Sequence, residues 1–310
     1  RGLDRASELA DLLLAPDREA LRALAPKAQA MFAFRAPASH LEDSFGQATE
    51  LKWIQSGSAG VDRVLFPALV ASDVIVTNAR GVFDDAIAEW VLGSMLAFVC
   101  GIVTSLEDQR GSTWNDDRHT ERLAGKRLLV VGPGPIGRAT ARRASALGME
   151  VAAVGTRARP DELFEAIHGP EDLVNELPRA DFVLDSLPLT ARTRHLFDDA
   201  AFSRMKPEAR FINVGRGPTV DEPALVDALR TGRIAGAALD VFEEEPLPVS
   251  SPLWTLPNVI VSPHICGDFE GWEETVIELF VDNLRRWIDG EPMRNLVDRA
   301  AGYGASLTGP

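Results

Sequence analysis

Three stretches of the chain carry polar residues suited to chemistry, and each follows a short apolar run. They are INVGRG (212–217), ALDVFEEEP (238–246) and VSPHICG (261–267). They supply a guanidinium at Arg216, a carboxylate in the glutamate run that ends at Glu245, and an imidazole at His264. Of these groups only an imidazole titrates near neutral pH unaided, which suits it to proton transfer. A guanidinium suits the grip of a carboxylate or carbonyl oxygen. The apolar runs read as buried strands, so each polar group stands at a strand's C-terminal end. Ligands of open α/β sheets bind along that edge. Arg216, Glu245 and His264 are therefore expected to converge on one crevice.

A fourth stretch names a partner for that chemistry. GPGPIG (132–137) follows the strand-like RLLVV and opens a helix-like segment, the context that a dinucleotide fingerprint requires. Gly132 permits a tight turn, Gly134 lets a diphosphate approach the backbone, and Gly137 lets helix and strand pack closely. Pro135 and Ile136 complete the first turn, where free N–H groups can meet phosphate oxygens. The next strand, VAAVG (151–155), should end at an acid that holds the ribose hydroxyls of NAD. It ends instead at Gly155, followed by Thr156, Arg157 and Arg159. Guanidinium groups at that place can pair with a 2′-phosphate, and Thr156 can donate a hydroxyl. NADP(H) is the favoured cofactor, with NAD(H) possible.

Between 127 and 265, short apolar runs alternate with helical patterns: strands at 127–132, 151–155, 180–188, 209–215, 235–242 and 258–264, helices at 136–148 and 221–232. This predicts a parallel sheet covered on both faces. Upstream, 30–34, 51–56 and 73–78 read as strands, and 86–106 as one helix that is apolar on nearly every face. The segment 273–290 reads as a last amphipathic helix closed by Gly290.

Length and composition bound the rest. A chain of 310 residues implies one or two domains, and 45% hydrophobic residues allow a large core. The net charge of −14 argues against nucleic acid or an anionic membrane as partner. Two cysteines far apart, Cys100 and Cys266, fit a reducing compartment, so a cytoplasmic location is expected. The longest apolar run, 90–103, is broken by Gly93, Ser94 and Gly101. It falls short of the roughly 18–20 residues that span a bilayer. Because the chain starts at Arg1 rather than Met, trimming of the native N-terminus is expected. The few histidines are scattered, so no metal site is expected.

In order and wording, these motifs resemble the D-isomer-specific 2-hydroxyacid dehydrogenase family, which includes glyoxylate/hydroxypyruvate reductases. The resemblance runs from LKWIQSGSAGVD at residue 51 through TNARGVFDDAIAEWVLG, LAGKRLLVVGPGPIGRATA and DSLPLTARTRHLFD to NLVD at 298. It implies an α/β fold in which a Rossmann-type doubly wound parallel sheet is inserted into a flavodoxin-like substrate domain. The substrate domain would be 1–93 with 275–310, the dinucleotide domain 94–274, and the assembly a homodimer.

The resemblance also implies an activity, hydride transfer between NADPH (or NADH) and the C2 carbonyl of a small 2-oxo acid, giving a D-2-hydroxy acid. His264 would be the general acid in reduction. The glutamate just before the proline, Glu245, would fix its tautomer, and Arg216 would grip the substrate's carbonyl and carboxylate oxygens. Ser58, Ala59 and Gly60 would meet the carboxylate. Leu187, Pro188, Thr193, Val214, Gly215, Asp240 and Gly267 would line the nicotinamide side, with Asp240 bonding the carboxamide. Cys266 would stand behind His264, and Trp114 is expected to pack within the chain rather than reach a neighbouring site. Two alternatives share the scaffold, a formate- or phosphite-type dehydrogenase and a cofactor-sensing corepressor. The first should show an asparagine-rich signature that is not seen here, and the second a peptide-docking groove.

Overall fold

The computed structural model describes residues 2–299 and 303–304. The chain forms two compact units, Arg1–Phe83 with Phe269–Pro310, and Asp84–Asp268.

In the first unit, three parallel strands lie in the order β1 (Ala30–Ala33), β2 (Trp53–Ser56) and β3 (Ile75–Thr77). The central strand is buried along its whole length. The helix Trp272–Asp289 buries Val276, Phe280, Val281, Asn283 and Leu284, and ends at Gly290 in a left-handed conformation. Its apolar stripe meets the sheet where Phe280 stacks on Trp53, ring centroids 5.7 Å apart. A buried polar chain accompanies that contact. Trp53 Nε1 donates to Thr77 Oγ1 (2.8 Å), and Thr77 Oγ1 and Asn283 Nδ2 both donate to Gln55 Oε1 (2.8 and 2.9 Å). Buried polar groups need such partners.

The second unit is a seven-stranded parallel sheet: β4 (Arg127–Val131), β5 (Glu150–Val154), β6 (Ile167–His168), β7 (Phe182–Asp185), β8 (Arg210–Asn213), β9 (Gly236–Leu239) and β10 (Val259–Val261). The spatial order is β10-β9-β8-β7-β4-β5-β6. Strands β4, β7 and β9 are buried throughout, as continuous apolar runs require when both faces are covered. Phe197, Phe202, Leu225 and Leu229 pack with Val183, Phe211 and Leu239 in one core cluster. The chain winds from β4 outward to β6, then returns to β7 on the other side of β4 and winds outward to β10. The order thus reverses between β4 and β7, the place where ligands of such sheets bind.

Register fixes what stands at that edge. Val154, Val131, Asp185, Asn213, Leu239 and Val261 pair in one row across six strands. The loops carrying all the expected cofactor residues and the three polar groups therefore leave the sheet side by side.

The expected single helix over 86–106 is corrected. It is two helices, Asp84–Val99 and Ile102–Arg110, bent by 64°. Gly101, at φ 66°, takes a left-handed conformation between them. The first helix buries Ile87, Ala88, Val91, Leu92 and Met95 but exposes Glu89, Gly93 and Leu96, so it is not buried all round. Among the described residues no single helix is long and apolar enough to cross a membrane.

Candidate active site

The GPGPIG loop leaves β4 and enters the helix Pro135–Ala146. A Cβ added at Gly137 would lie 2.6 Å from the Gly132 carbonyl oxygen and 2.7 Å from Val130 Cγ1, so only glycine lets the helix sit this close to its strand. Gly134 is exposed, and beyond its chain neighbours no described residue lies within 4 Å of where its Cβ would stand. A cleared backbone at a helix N-terminus fits a dinucleotide diphosphate. Ser186 Oγ donates to the Gly132 carbonyl (2.8 Å), fastening the exit of β7 to this loop.

At the exit of β5, Gly155 N donates to His168 O (3.0 Å) on β6. A Cβ at Gly155 would stand 3.2 Å from Pro133 Cγ, so this position borders the nucleotide loop. Thr156 and Arg157 are exposed, and the Arg159 backbone bridges to Ile167. Neither the Arg157 nor the Arg159 guanidinium has an ion-pair partner among the described residues. By contrast, Arg138 on the adjoining helix is taken by Asp161.

The proton-transfer group is assembled from two loops. His264 Nδ1 and Glu245 Oε2 are 2.8 Å apart, with His264 half-buried at φ 58°. The other Glu245 oxygen accepts from Phe242 N (3.1 Å). Asp240, buried after β9, holds the turn that follows His264. Its Oδ1 accepts from Ile265 N (3.0 Å) and Cys266 N (3.2 Å). Its carboxylate is thus engaged by that turn, a task the sequence did not indicate. Burial, and then the Asp240 charge, push the Cys266 thiol up, so it is a poor nucleophile.

Arg216 stands in the turn after β8, its Nη1 donating to Gly215 O (2.7 Å). That turn abuts the glutamate loop. A Cβ at Gly217 would fall 1.8 Å from the Phe242 carbonyl group, so glycine is required there. Contacts thus run from the Arg216 turn through Phe242 to Glu245 and His264. Among the nicotinamide-side candidates, Leu187 N donates to Asp185 Oδ1 (3.0 Å) and Val214 N to Asp185 O (3.0 Å). Thr193 Oγ1 donates to Pro188 O (2.7 Å), and Gly267 is buried.

Sequence reading missed the polar floor beneath this turn. Asp185, fully buried, hydrogen-bonds Thr219 Oγ1 as well as Leu187 N. Thr219 Oγ1 also contacts the Arg216 carbonyl oxygen at 2.6 Å, and Asn213 Nδ2 donates to that oxygen at 3.1 Å. Burial pushes the Asp185 carboxyl up to about 7. The available signal was an aspartate in the last position of an otherwise apolar strand. Also unforeseen is His195, whose Nε2 lies 2.5 Å from Glu243 Oε1. This pair gives Glu243 a task of its own, distinct from that of Glu245.

In the first unit, the loop after β2 uses its carbonyls internally. Ser58 Oγ donates to Gly60 O (2.7 Å), Asn78 Nδ2 to Ala59 O (2.6 Å) and Ala79 N to Ser58 O (3.0 Å). The N–H groups of Ala59 and Gly60 have no acceptor among the described residues.

The family model for the D-isomer specific 2-hydroxyacid dehydrogenase NAD binding domain matches residues 92–266. The chain belongs to the D-isomer-specific 2-hydroxyacid dehydrogenase family. It is 38% identical over 256 residues to a glyoxylate/hydroxypyruvate reductase B of Salmonella newport, covering 79% of this chain and 78% of that protein. A solved member from Aeromonas salmonicida superposes with TM-score 0.83 at 35% identity, covering 96% of this chain and 95% of the other. A Xanthobacter autotrophicus member, solved with NADPH and MES, gives TM-score 0.79 at 36% identity, covering 90% and 86%. As a 2-hydroxyacid dehydrogenase, the protein is an NAD(P)-dependent oxidoreductase acting on the C2 carbonyl of a small 2-oxo acid. Trp114 is corrected: at 90% exposure it is not packed into the described residues of its chain.

Proposed function

We propose that this dehydrogenase is an NADPH-preferring reductase of glyoxylate or hydroxypyruvate, with His264, Glu245 and Arg216 as its catalytic residues. The single observation that carries the mechanism is the 2.8 Å contact between His264 Nδ1 and Glu245 Oε2. The bound dinucleotide supplies the hydride. Glu245 accepts from Nδ1–H, which leaves Nε2 to give a proton to the carbonyl oxygen during reduction and to take it back during oxidation. The Arg216 guanidinium holds the carbonyl and carboxylate oxygens and polarises the carbonyl. The N–H groups of Ala59 and Gly60, without an acceptor among the described residues, are assigned to the carboxylate, with Ser58 shaping their loop.

Gly132, Gly134, Pro135, Ile136 and Gly137 are assigned to the diphosphate. Leu187, Pro188, Thr193, Val214, Gly215 and Gly267, with Asp240 behind them, are assigned to the nicotinamide side. Thr156, Arg157 and Arg159 are assigned to the 2′-phosphate. In support, both guanidiniums lack ion pairs among the described residues, Gly155 replaces the expected acid, and the Xanthobacter relative holds NADPH. The substrate follows from the name of the Salmonella relative. A homodimer through the second unit is supported by exposed Leu96, Ile102, Leu106 and Trp114, and light scattering tests it.

The decisive experiment is steady-state reduction of glyoxylate, hydroxypyruvate and pyruvate with each cofactor, in the native enzyme and in His264→Ala. The variant should lose turnover by at least about a hundredfold. NADPH binding, followed by nicotinamide fluorescence, should persist. Full activity in the variant, or a clear NADH preference in the native enzyme, would refute the corresponding half of the proposal.

A further inference from the structure

Thr219 Oγ1 touches two oxygens, Asp185 Oδ2 and the Arg216 carbonyl. A hydroxyl carries one hydrogen, and a carbonyl can only accept. With Asp185 ionised, one of the two contacts is an oxygen pair with no hydrogen between them. With Asp185 protonated, both are hydrogen bonds, Asp185 Oδ2–H to Thr219 Oγ1 and Thr219 Oγ1–H to Arg216 O. We infer that Asp185 is a positioning residue that works as the neutral acid, holding the Arg216 turn in place through Thr219. The inference rests on the assignment of Arg216 to the substrate.

The surroundings agree with a neutral acid. Asp185 is fully buried in the middle of the sheet, between Val131 of β4 and Asn213 of β8. The β4 exit (131–137) and the β7 exit (186–190) bring no ionisable side chain, and the turn over 213–220 brings one, Arg216. Burial, which disfavours the charge, is the largest influence on Asp185, ahead of its bonds from Thr219 and Leu187 N. The remaining contacts of the Arg216 carbonyl come from Asn213 Nδ2 (3.1 Å) and Thr219 N (3.2 Å). The Thr219 hydroxyl at 2.6 Å is thus the shortest of the three. When Asp185 loses its proton it accepts the hydrogen bond from Thr219 O–H, and the Arg216 carbonyl then faces a bare lone pair of Thr219 Oγ1. The turn loosens, and reduction loses efficiency on the alkaline side independently of His264.

Two measurements test this. In the first, kcat/KM for reduction is followed against pH in wild type, Asp185→Asn, Asp185→Leu and Thr219→Val. Wild type should lose activity through an alkaline limb steeper than that of Asp185→Asn, by the one proton that Asp185 gives up. Asp185→Asn, whose amide donates to Thr219 at every pH, should show a one-proton limb. At about pH 6, Asp185→Leu and Thr219→Val should fall roughly tenfold further than Asp185→Asn. In the second, infrared difference spectra of the protein without substrate should show a protonated-carboxyl stretch that disappears as pH rises and is missing in Asp185→Asn. Absence of that band in mildly acid buffer, or an Asp185→Asn limb as steep as wild type, overturns the relay. Full activity of Arg216→Ala would instead overturn the reading of the catalytic site, because the infrared band is read without turnover.

Discussion

Glu245 uses its two oxygens differently, with Phe242 N–H at Oε1 and the His264 ring at Oε2. Glutamine has only one acceptor oxygen, so Glu245→Gln must lose one of these contacts, and it also removes the charge that stabilises the imidazolium. A kcat loss of roughly a hundredfold is expected. KM for NADPH should change little, since Glu245 belongs to the proton-transfer loop and not to GPGPIG; steady-state kinetics reads both. The proposed cofactor preference is likewise testable at single side chains. Arg157 is exposed, lacks an ion pair among the described residues and follows a strand that ends in glycine. Arg157→Ala should raise KM for NADPH about tenfold, as loss of a charge-assisted phosphate contact does, and leave KM for NADH nearly unchanged. Equal effects on both cofactors would assign Arg157 to the shared part of the dinucleotide.

The site depends on elements ending level. Asp185 and Asn213 pair with each other in the row of last strand residues, so one strand-end pair carries the floor of the Arg216 turn. This row makes Asp185 an element-scale liability as well as a positioning device. An unfolded aspartate ionises near 3.8, whereas burial holds Asp185 protonated up to about 7. Between those values the folded state binds the extra proton, so its contribution to stability is whole below about 4 and is lost as pH rises through about 7. About three pH units correspond to a loss on the order of 4 kcal/mol. Urea unfolding should therefore show Asp185→Asn gaining on wild type between about pH 5 and about pH 8, and parallel profiles would remove the linkage. The strands were legible because β4, β5, β7, β8, β9 and β10 are short apolar runs closed by glycine or polar residues. Strand β6, only Ile167–His168, is too short to show a period. The helix break at Gly101 was masked by apolar residues on both sides, although Ile102 and Leu106 beyond it are exposed. Arg216, Glu245 and His264 were legible as polar residues at strand ends. The Asp185–Thr219 contact joins positions 34 apart in sequence and exists only once β7 and β8 pair, so no local pattern announces it.

At the scale of the whole molecule, 46 acidic residues face 32 lysines and arginines, leaving a net charge of −14. Two opposing effects follow when salt is added. The surplus negative charges repel one another less, which stabilises the compact chain. Ion pairs between exposed side chains weaken, which destabilises it. The geometry decides between them. Pairs such as Arg5–Glu278, with side chains 56% and 60% exposed, contribute little at any salt concentration. The buried pair of Arg127 and Glu176, with side chains 8% and 5% exposed, is poorly screened. Repulsion among the surplus acids is therefore the term that salt changes most. Raising NaCl from about 0.1 M to about 1 M shortens the Debye length from roughly 10 Å to roughly 3 Å. The melting temperature, followed by circular dichroism at constant pH, should rise by several degrees. KCl should give the same rise, because screening depends on ionic strength and not on the identity of the cation. A fall in melting temperature, or a rise with only one of the two salts, would show that specific ion pairs or ion binding govern the stability of this acidic surface instead.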